Sequence, residues 1–259
     1  MTTAVPRRQS RVRGAFVFGL LPLAVLLGCW QFFVPADSRA FPPPSTWPGA
    51  LAELSAEGSL IPAVRTTLVT FLLALAVATV LGTALGMLIG SSRRLERPLT
   101  PVMDFFRTLP PPAMVPVLAL LLGTNTSMAV TVVVLASLWP ILLNTASERR
   151  NVPPVRMEMA RSLGLRWSER VFKVLLPSLA PGIMLGVRVA VSIALIVTLL
   201  VDILGTGEGI GRELMLGQQS FKPATVWALL LVIGVFGYLL NGAVAAAENR
   251  LMRKWGRRR

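Results

Sequence analysis

Four ionisable side chains of this 259-residue chain lie in or beside long apolar runs: Asp104, Arg107, Arg188 and Asp202. Charge held at bilayer depth is costly and tends to be functional, marking ion paths, relays or counter-ions. Asp104 and Arg107 are three apart at one end of an apolar block, a spacing that equally suits a local helix pair at the membrane surface. Asp202 closes another block and suits an interfacial residue as well as a substrate contact. Asn144, Ser192 and Thr198 place neutral polar groups in apolar stretches. With Asp202 they form the candidate lining of a polar path, although such groups also join helices to one another.

Catalytic chemistry finds little support. The chain has no histidine, so His-based metal sites, proton relays and triads are excluded, and no metal ligand set stands out. The single cysteine, Cys29, excludes an intrachain disulfide. A phosphate loop ending Gly-Lys-Ser/Thr is missing. The chain is therefore not expected to hydrolyse ATP, and no cofactor is expected in it.

The elements that must position these groups are membrane helices. The chain is 54% hydrophobic with mean hydropathy +0.67, and the apolar residues come in blocks. A bilayer core takes roughly 20 apolar residues per helix. Blocks at about 15–34, 64–90, 100–123, 128–145, 183–204 and 225–246 predict an all-α integral membrane protein of about six transmembrane helices within residues 15–249. A basic terminus (1–14) precedes them and a basic tail (250–259) follows. The first block follows Arg7, Arg8, Arg11 and Arg13, as a signal peptide would. It is long for one and runs into Trp30, Gln31, Phe32 and Phe33 without a small-residue cleavage site, which favours an uncleaved span. The third block holds Pro110, Pro111, Pro112 and Pro116 and cannot be one regular helix. Such broken backbone suits either a kinked wall of a translocation path or an interfacial helix followed by a span. Gly82 and Gly86, four apart, suit close helix packing.

The net charge of +14 would suggest nucleic acid in a soluble protein. Here the cations sit between apolar blocks, so a lipid bilayer and not nucleic acid is the expected partner. With the N-terminus inside, 22 Lys/Arg fall on the cytoplasmic side, including Arg107. Only four, Arg39, Arg65, Arg212 and Lys222, fall outside. This asymmetry predicts cytoplasmic ends, in a bacterial inner or plasma membrane protein.

Residues 146–182 are too polar to span, yet carry helical periodicity. A first helix holds Met157, Glu158, Met159, Ala160 and Arg161, and Gly164 breaks it. A second carries Trp167, Val171, Val174 and Leu175 on one face, and Pro177 and Pro181 close it. The shape is a cytoplasmic docking hairpin, with an amphipathic helix on anionic lipid as the alternative.

The residues resemble something more specific. Glu158-Met159-Ala160, three residues, Gly164, nine residues, then Val174-Leu175-Leu176-Pro177 keeps the spacing of the "EAA" loop of ABC-importer permeases, Glu-Ala-Ala…Gly…Ile-x-Leu-Pro. Met159 and Val174 are the departures. Phe41-Pro42-Pro43-Pro44-Ser45, Ser91 to Glu96, Arg107 to Pro111 and Pro140 to Thr145 are similar to stretches of the nitrate/sulfonate/taurine-type permeases. The likeness covers about residues 41–250. It implies a homodimeric permease bound to two copies of a cytoplasmic ATP-binding subunit and fed by an extracytoplasmic binding protein. The coupling loop would seat Glu158, Met159, Ala160, Arg161, Leu163, Gly164 and Leu165 against the ATPase, with Pro177 at its base. Glu158 and Arg161 would offer charge pairing, Leu163 and Leu165 apolar contact, and Gly164 a sharp exit that larger side chains would impair. The subgroup implies a sulfonate, taurine or nitrate as cargo. The wider group also includes carriers of pyrimidine-type vitamin precursors. A proton-coupled secondary transporter is the competing class, and it would need protonatable groups in mid-span.

Overall fold

The computed structural model describes residues 12–35, 38, 40–206 and 208–256, with side-chain burial described between Leu21 and Arg250. The cations at Arg7, Arg8, Arg11, Arg39, Arg257, Arg258 and Arg259 lie outside the described residues. The described chain is almost entirely helical: α1 (Val12–Phe33), α2 (Trp47–Ala56), α3 (Leu60–Ile89), α4 (Arg93–Thr108), α5 (Pro111–Leu122), α6 (Thr126–Asn151), α7 (Pro154–Ser162), α8 (Trp167–Glu169), α9 (Leu176–Val201), α10 (Gly209–Gln219) and α11 (Pro223–Gly256). Two π-helical turns, Arg170–Leu175 and Asp202–Thr206, bracket α9. The helix from Trp167 to Gly205 is therefore continuous over 39 residues.

Among the described residues, four helices are long and apolar enough to cross a bilayer, and a fifth crossing results if α4 and α5 are taken as one bent span. α1 adds a 22-residue helix. Several expected boundaries move. α6 continues to Asn151, into the stretch read as coupling loop. α2 and α10 are helices in stretches expected only to connect spans. Pro177 and Pro181 do not close a helix. They stand in the first turns of α9, directly after the π turn. In a continuous helix each proline removes one backbone hydrogen bond, and the wider π turn before Pro177 relieves its ring's clash with the preceding carbonyl.

The core is a three-helix layer with α6 between α3 and α9. Its residues are small where backbones meet. A Cβ on Gly86 would lie 2.6 Å from the Leu142 carbonyl oxygen, and one on Gly186 2.6 Å from Ile141 Cα. Ala74 and Ala78 of α3 and Ala190 and Ala194 of α9 are fully buried in the same layer. Apolar attraction between helices is no help in lipid, where the tails are equally apolar. Close backbone approach, which maximises dispersion contacts, is what holds such a layer.

α5 packs on α6 at the edge of this layer, and α4 swings away from it at 91°. The prolines dictate the bend. The carbonyls of Phe106, Arg107 and Thr108 would accept from the amides of residues 110, 111 and 112, and all three are prolines without N–H. Leu109 N–H takes the Phe106 carbonyl at 3.3 Å and then turns to extended backbone, ending α4.

Aromatic side chains pin α1, α2 and α11 together. Trp30, Phe41, Trp47 and Trp227 form one cluster, with Trp30 edge-on to Trp227 at 4.5 Å between ring centroids. Trp227 donates its indole N–H to the Ala40 carbonyl at 3.0 Å, and Trp47 donates to that of Pro42 at 3.3 Å. Gln31 bonds Ser45 twice, donating to its hydroxyl and accepting from its amide. The Phe41–Ser45 loop is thus a strap held at both ends. Such a belt belongs at a membrane–water interface.

Candidate functional site

The hairpin between α6 and α9 is built from α7, α8 and the π turn. Pro154 opens α7 at its first position, where a missing N–H costs nothing. Gly164 closes it with φ +69°. Gly164 N–H donates to the Arg161 carbonyl at 2.9 Å and Leu165 N–H to that of Ala160 at 3.1 Å. These paired bonds are the Schellman arrangement, which satisfies the last carbonyls and reverses the chain. Glu169 caps the second arm, accepting from Arg166 N–H at 3.0 Å and from Lys173 Nζ at 2.7 Å. Arg156 donates to Ser178 Oγ at 3.2 Å and ties α7 to the foot of α9.

The expected docking residues separate into two groups. Ala160 is 3% exposed and faces the hairpin's own interior, while Leu165 and Pro177 are partly buried. Glu158, Met159, Arg161, Leu163 and Gly164 all face outward. Met159 is 59% and Leu163 75% exposed, and Val155, four residues before Met159, is exposed with them. The three fall on one stripe of α7, so Val155 joins the candidate surface. Its signal in the sequence was the four-residue spacing. Trp167, read at helical spacing with Val171, Val174 and Leu175, is exposed, as is Phe172. An apolar stripe rimmed by Glu158 and Arg161 on an otherwise polar hairpin has the character of a protein contact.

The structure adds a backbone requirement to the expected reason for Gly164. No atom lies within 4 Å of a Cβ placed there, so within this chain a side chain has room. Within the chain the requirement is the left-handed backbone, which costs a non-glycine residue about 1–2 kcal/mol and asparagine less. Uptake and thermal stability are therefore expected to fall in the order Gly164, Asn, Ala, Val. An alanine variant better than the asparagine variant would show that side-chain size, not backbone, sets the requirement.

The polar-path candidates do not converge. Asn144 donates to the Pro140 carbonyl of its own helix at 2.7 Å. Thr198 is fully buried and donates to the Ala194 carbonyl, also at 2.7 Å. Ser192 is exposed on another side of α9. Asp202 is 1% exposed and is a clasp between helices. Thr67 of α3 donates to its Oδ2 at 2.6 Å and in turn accepts the Ile210 N–H at 2.9 Å. The Gly211 amide bonds the same carboxylate. A Cβ on Gly209, whose φ is +85°, would fall on the carboxylate itself. Asp202 thereby fixes α10 against α3 and α9. Arg107 pairs with Asp104 through Nε at 3.4 Å, both about half exposed. It lines a cavity together with Leu135, Ala136 and Trp139, which lie near the middle of α6. The bend thus brings this cation beside the middle of α6.

Residues 78–253 match the family described as binding-protein-dependent transport system inner membrane component. A putative aliphatic sulfonates transport permease of Bacillus subtilis (strain 168) is 29% identical over 255 residues, covering 97% of this chain and 92% of that protein. A nitrate import permease of Synechocystis is 29% identical over 88% of this chain and 86% of its own length. A bicarbonate transport system permease of Synechococcus elongatus is 29% identical over 90% of each chain. Among solved structures, the inward-facing MetNI methionine ABC transporter superposes with a TM-score of 0.61 at 19% identity, over 78% of this chain and 98% of that one. At that identity the likeness is one of fold.

Proposed function

From the premise that this chain belongs to the binding-protein-dependent transport inner membrane component family, and is the multi-pass permease of an ABC importer, we propose that it carries a small oxyanion into the cell. The relatives just described handle sulfonate, nitrate and bicarbonate, all small oxygen-bearing anions. On this reading two permease copies form the path, two ATP-binding subunits drive it, and an extracytoplasmic protein delivers the cargo. The observation that carries the coupling role is the outward stripe Val155, Met159 and Leu163, mounted at the foot of α9. α9 is packed along α6 through Gly186 and Ala190, so a push on the hairpin is transmitted to the centre of the membrane domain as a rigid displacement. The clasp at Asp202 passes it on to α10.

Both termini are cytoplasmic in this proposal, with α6 and α9 meeting the hairpin inside. Thiols introduced at Glu57 and Ser220, in a Cys29→Ser background, are expected to react with an impermeant reagent from outside, and one at Ser162 is not. Function is tested in proteoliposomes. Uptake of nitrate or an alkanesulfonate is expected only with ATP, the ATP-binding subunit and the loaded binding protein together. Hydrolysis of ATP by this chain alone, or uptake driven by a proton gradient without ATP, would contradict the proposal.

A further inference from the structure

The bend between α4 and α5 leaves a cavity of about 280 Å³, bounded also by α6 and α9. Its wall is apolar, with Phe106, Met114, Leu135, Trp139 and Ile193 among its residues, and Arg107 is the one charged residue on it. A helix N-terminus at such a place ordinarily offers free amides to an anion. Here it does not, because Pro110, Pro111 and Pro112 supply the cap and the first two positions of α5. Any anion at the bend must therefore be met by the Arg107 guanidinium. An ionisable side chain within a membrane-spanning segment is by default functional, and the carboxylate partner of Arg107 is a half-exposed neighbour one turn back.

We propose that this cavity is a transit site for a small organic oxyanion, with Arg107 holding the anionic head and the apolar wall its short aliphatic part. The inference rests on the anion-importer reading and narrows it to the alkanesulfonate class. A guanidinium presents paired N–H groups to the oxygens of such a head. A mostly apolar pocket with one placed polar group is the usual form of a small-ligand site, and a bare, strongly hydrated ion would gain nothing from these walls. Asp104 has a part in the same site. It neutralises Arg107 while the cavity is empty and competes with the arriving anion, which keeps binding weak enough for release. A path that held its cargo tightly would not conduct.

The test uses the complete importer, permease with ATP-binding subunit and binding protein, in proteoliposomes, with ethanesulfonate, nitrate and bicarbonate as probes. Arg107→Gln is expected to lower ethanesulfonate uptake by about tenfold or more, with partial recovery in Arg107→Lys. Arg93→Gln, which removes the same charge from the far end of α4, is expected to change nothing. Ethanesulfonate binding to the purified permease–ATPase complex, without binding protein, is expected to tighten by about threefold or more in Asp104→Asn. Wild-type uptake by Arg107→Gln at equal membrane abundance overturns the proposal. So does unchanged binding in Asp104→Asn, which decides the matter if Arg107→Gln does not accumulate. Import of nitrate but not ethanesulfonate by the wild type overturns the aliphatic part. Import of neither overturns the aliphatic part as well, and absence of bicarbonate uptake beside it contradicts the anion-importer reading itself.

Discussion

Glutamate at both Met159 and Leu163 is expected to abolish co-purification of the ATP-binding subunit while leaving the permease at its normal abundance in the membrane. The two side chains are 59% and 75% exposed in the isolated chain, so folding gains almost nothing from them. Docking should gain a great deal. Burying an apolar side chain of this size stabilises a contact by about 1.5–3 kcal/mol, so losing two costs roughly 3 kcal/mol or more, over a hundredfold in affinity. Carboxylates left in an apolar cleft add a desolvation penalty to that loss. The check is affinity capture through the permease with quantified ATP-binding subunit, beside membrane abundance. Full co-purification in the double variant would remove α7 from the docking surface.

Gly186→Leu is expected to have the opposite profile, with no folded permease recovered. The new Cβ would lie 2.6 Å from Ile141 Cα and 2.8 Å from the Pro140 carbonyl oxygen. These are backbone atoms, and α6 cannot retreat from them because Gly82 and Gly86 of α3 press on its other side. The central layer must open along its length, beyond the 1–3 kcal/mol usual for an overpacked side chain. Gly234→Leu is the matched control, since nothing lies within 4 Å of a Cβ there. Detergent extraction followed by size-exclusion chromatography separates the outcomes. The account predicts a monodisperse peak for the Gly234 variant and aggregate or no protein for the Gly186 variant. A monodisperse Gly186→Leu protein would contradict the close packing of α6 and α9.

These two variants sit at the two kinds of feature that were most legible in the sequence. The small residues at 82 and 86 and the spacing from Glu158 to Pro177 are local patterns, and local patterns survive in a linear reading. So did the break near Pro110, because consecutive prolines remove donors whatever surrounds them. The rest depended on distant partners. Asp202 reads as the end of a span until Thr67, 135 residues earlier, is placed against it. Ala160 reads as part of a docking motif, and only the return of the chain at Gly164 buries it. Trp167 shares a helical spacing with Val171, Val174 and Leu175, and only the structure separates them, leaving Trp167 exposed and Leu175 buried across the π turn. Arg107 was counted with the cytoplasmic cations because it follows Arg93, Arg94 and Arg97 in sequence. The 91° bend, which a proline count does not fix in direction, sets it beside mid-α6.

The central claim is that the hairpin around Gly164 is where the ATP-binding subunit takes hold. Hydrogen exchange of the detergent-solubilised permease, with and without that subunit, addresses it most directly. The outward face of α7 and the Gly164 turn are exposed in the isolated chain, so amides from residues 155 to 166 should exchange readily there. The account predicts that these amides gain protection when the subunit binds, more than any other stretch of the chain does. A complex that forms with exchange unchanged across residues 155 to 166, and new protection elsewhere, would contradict it.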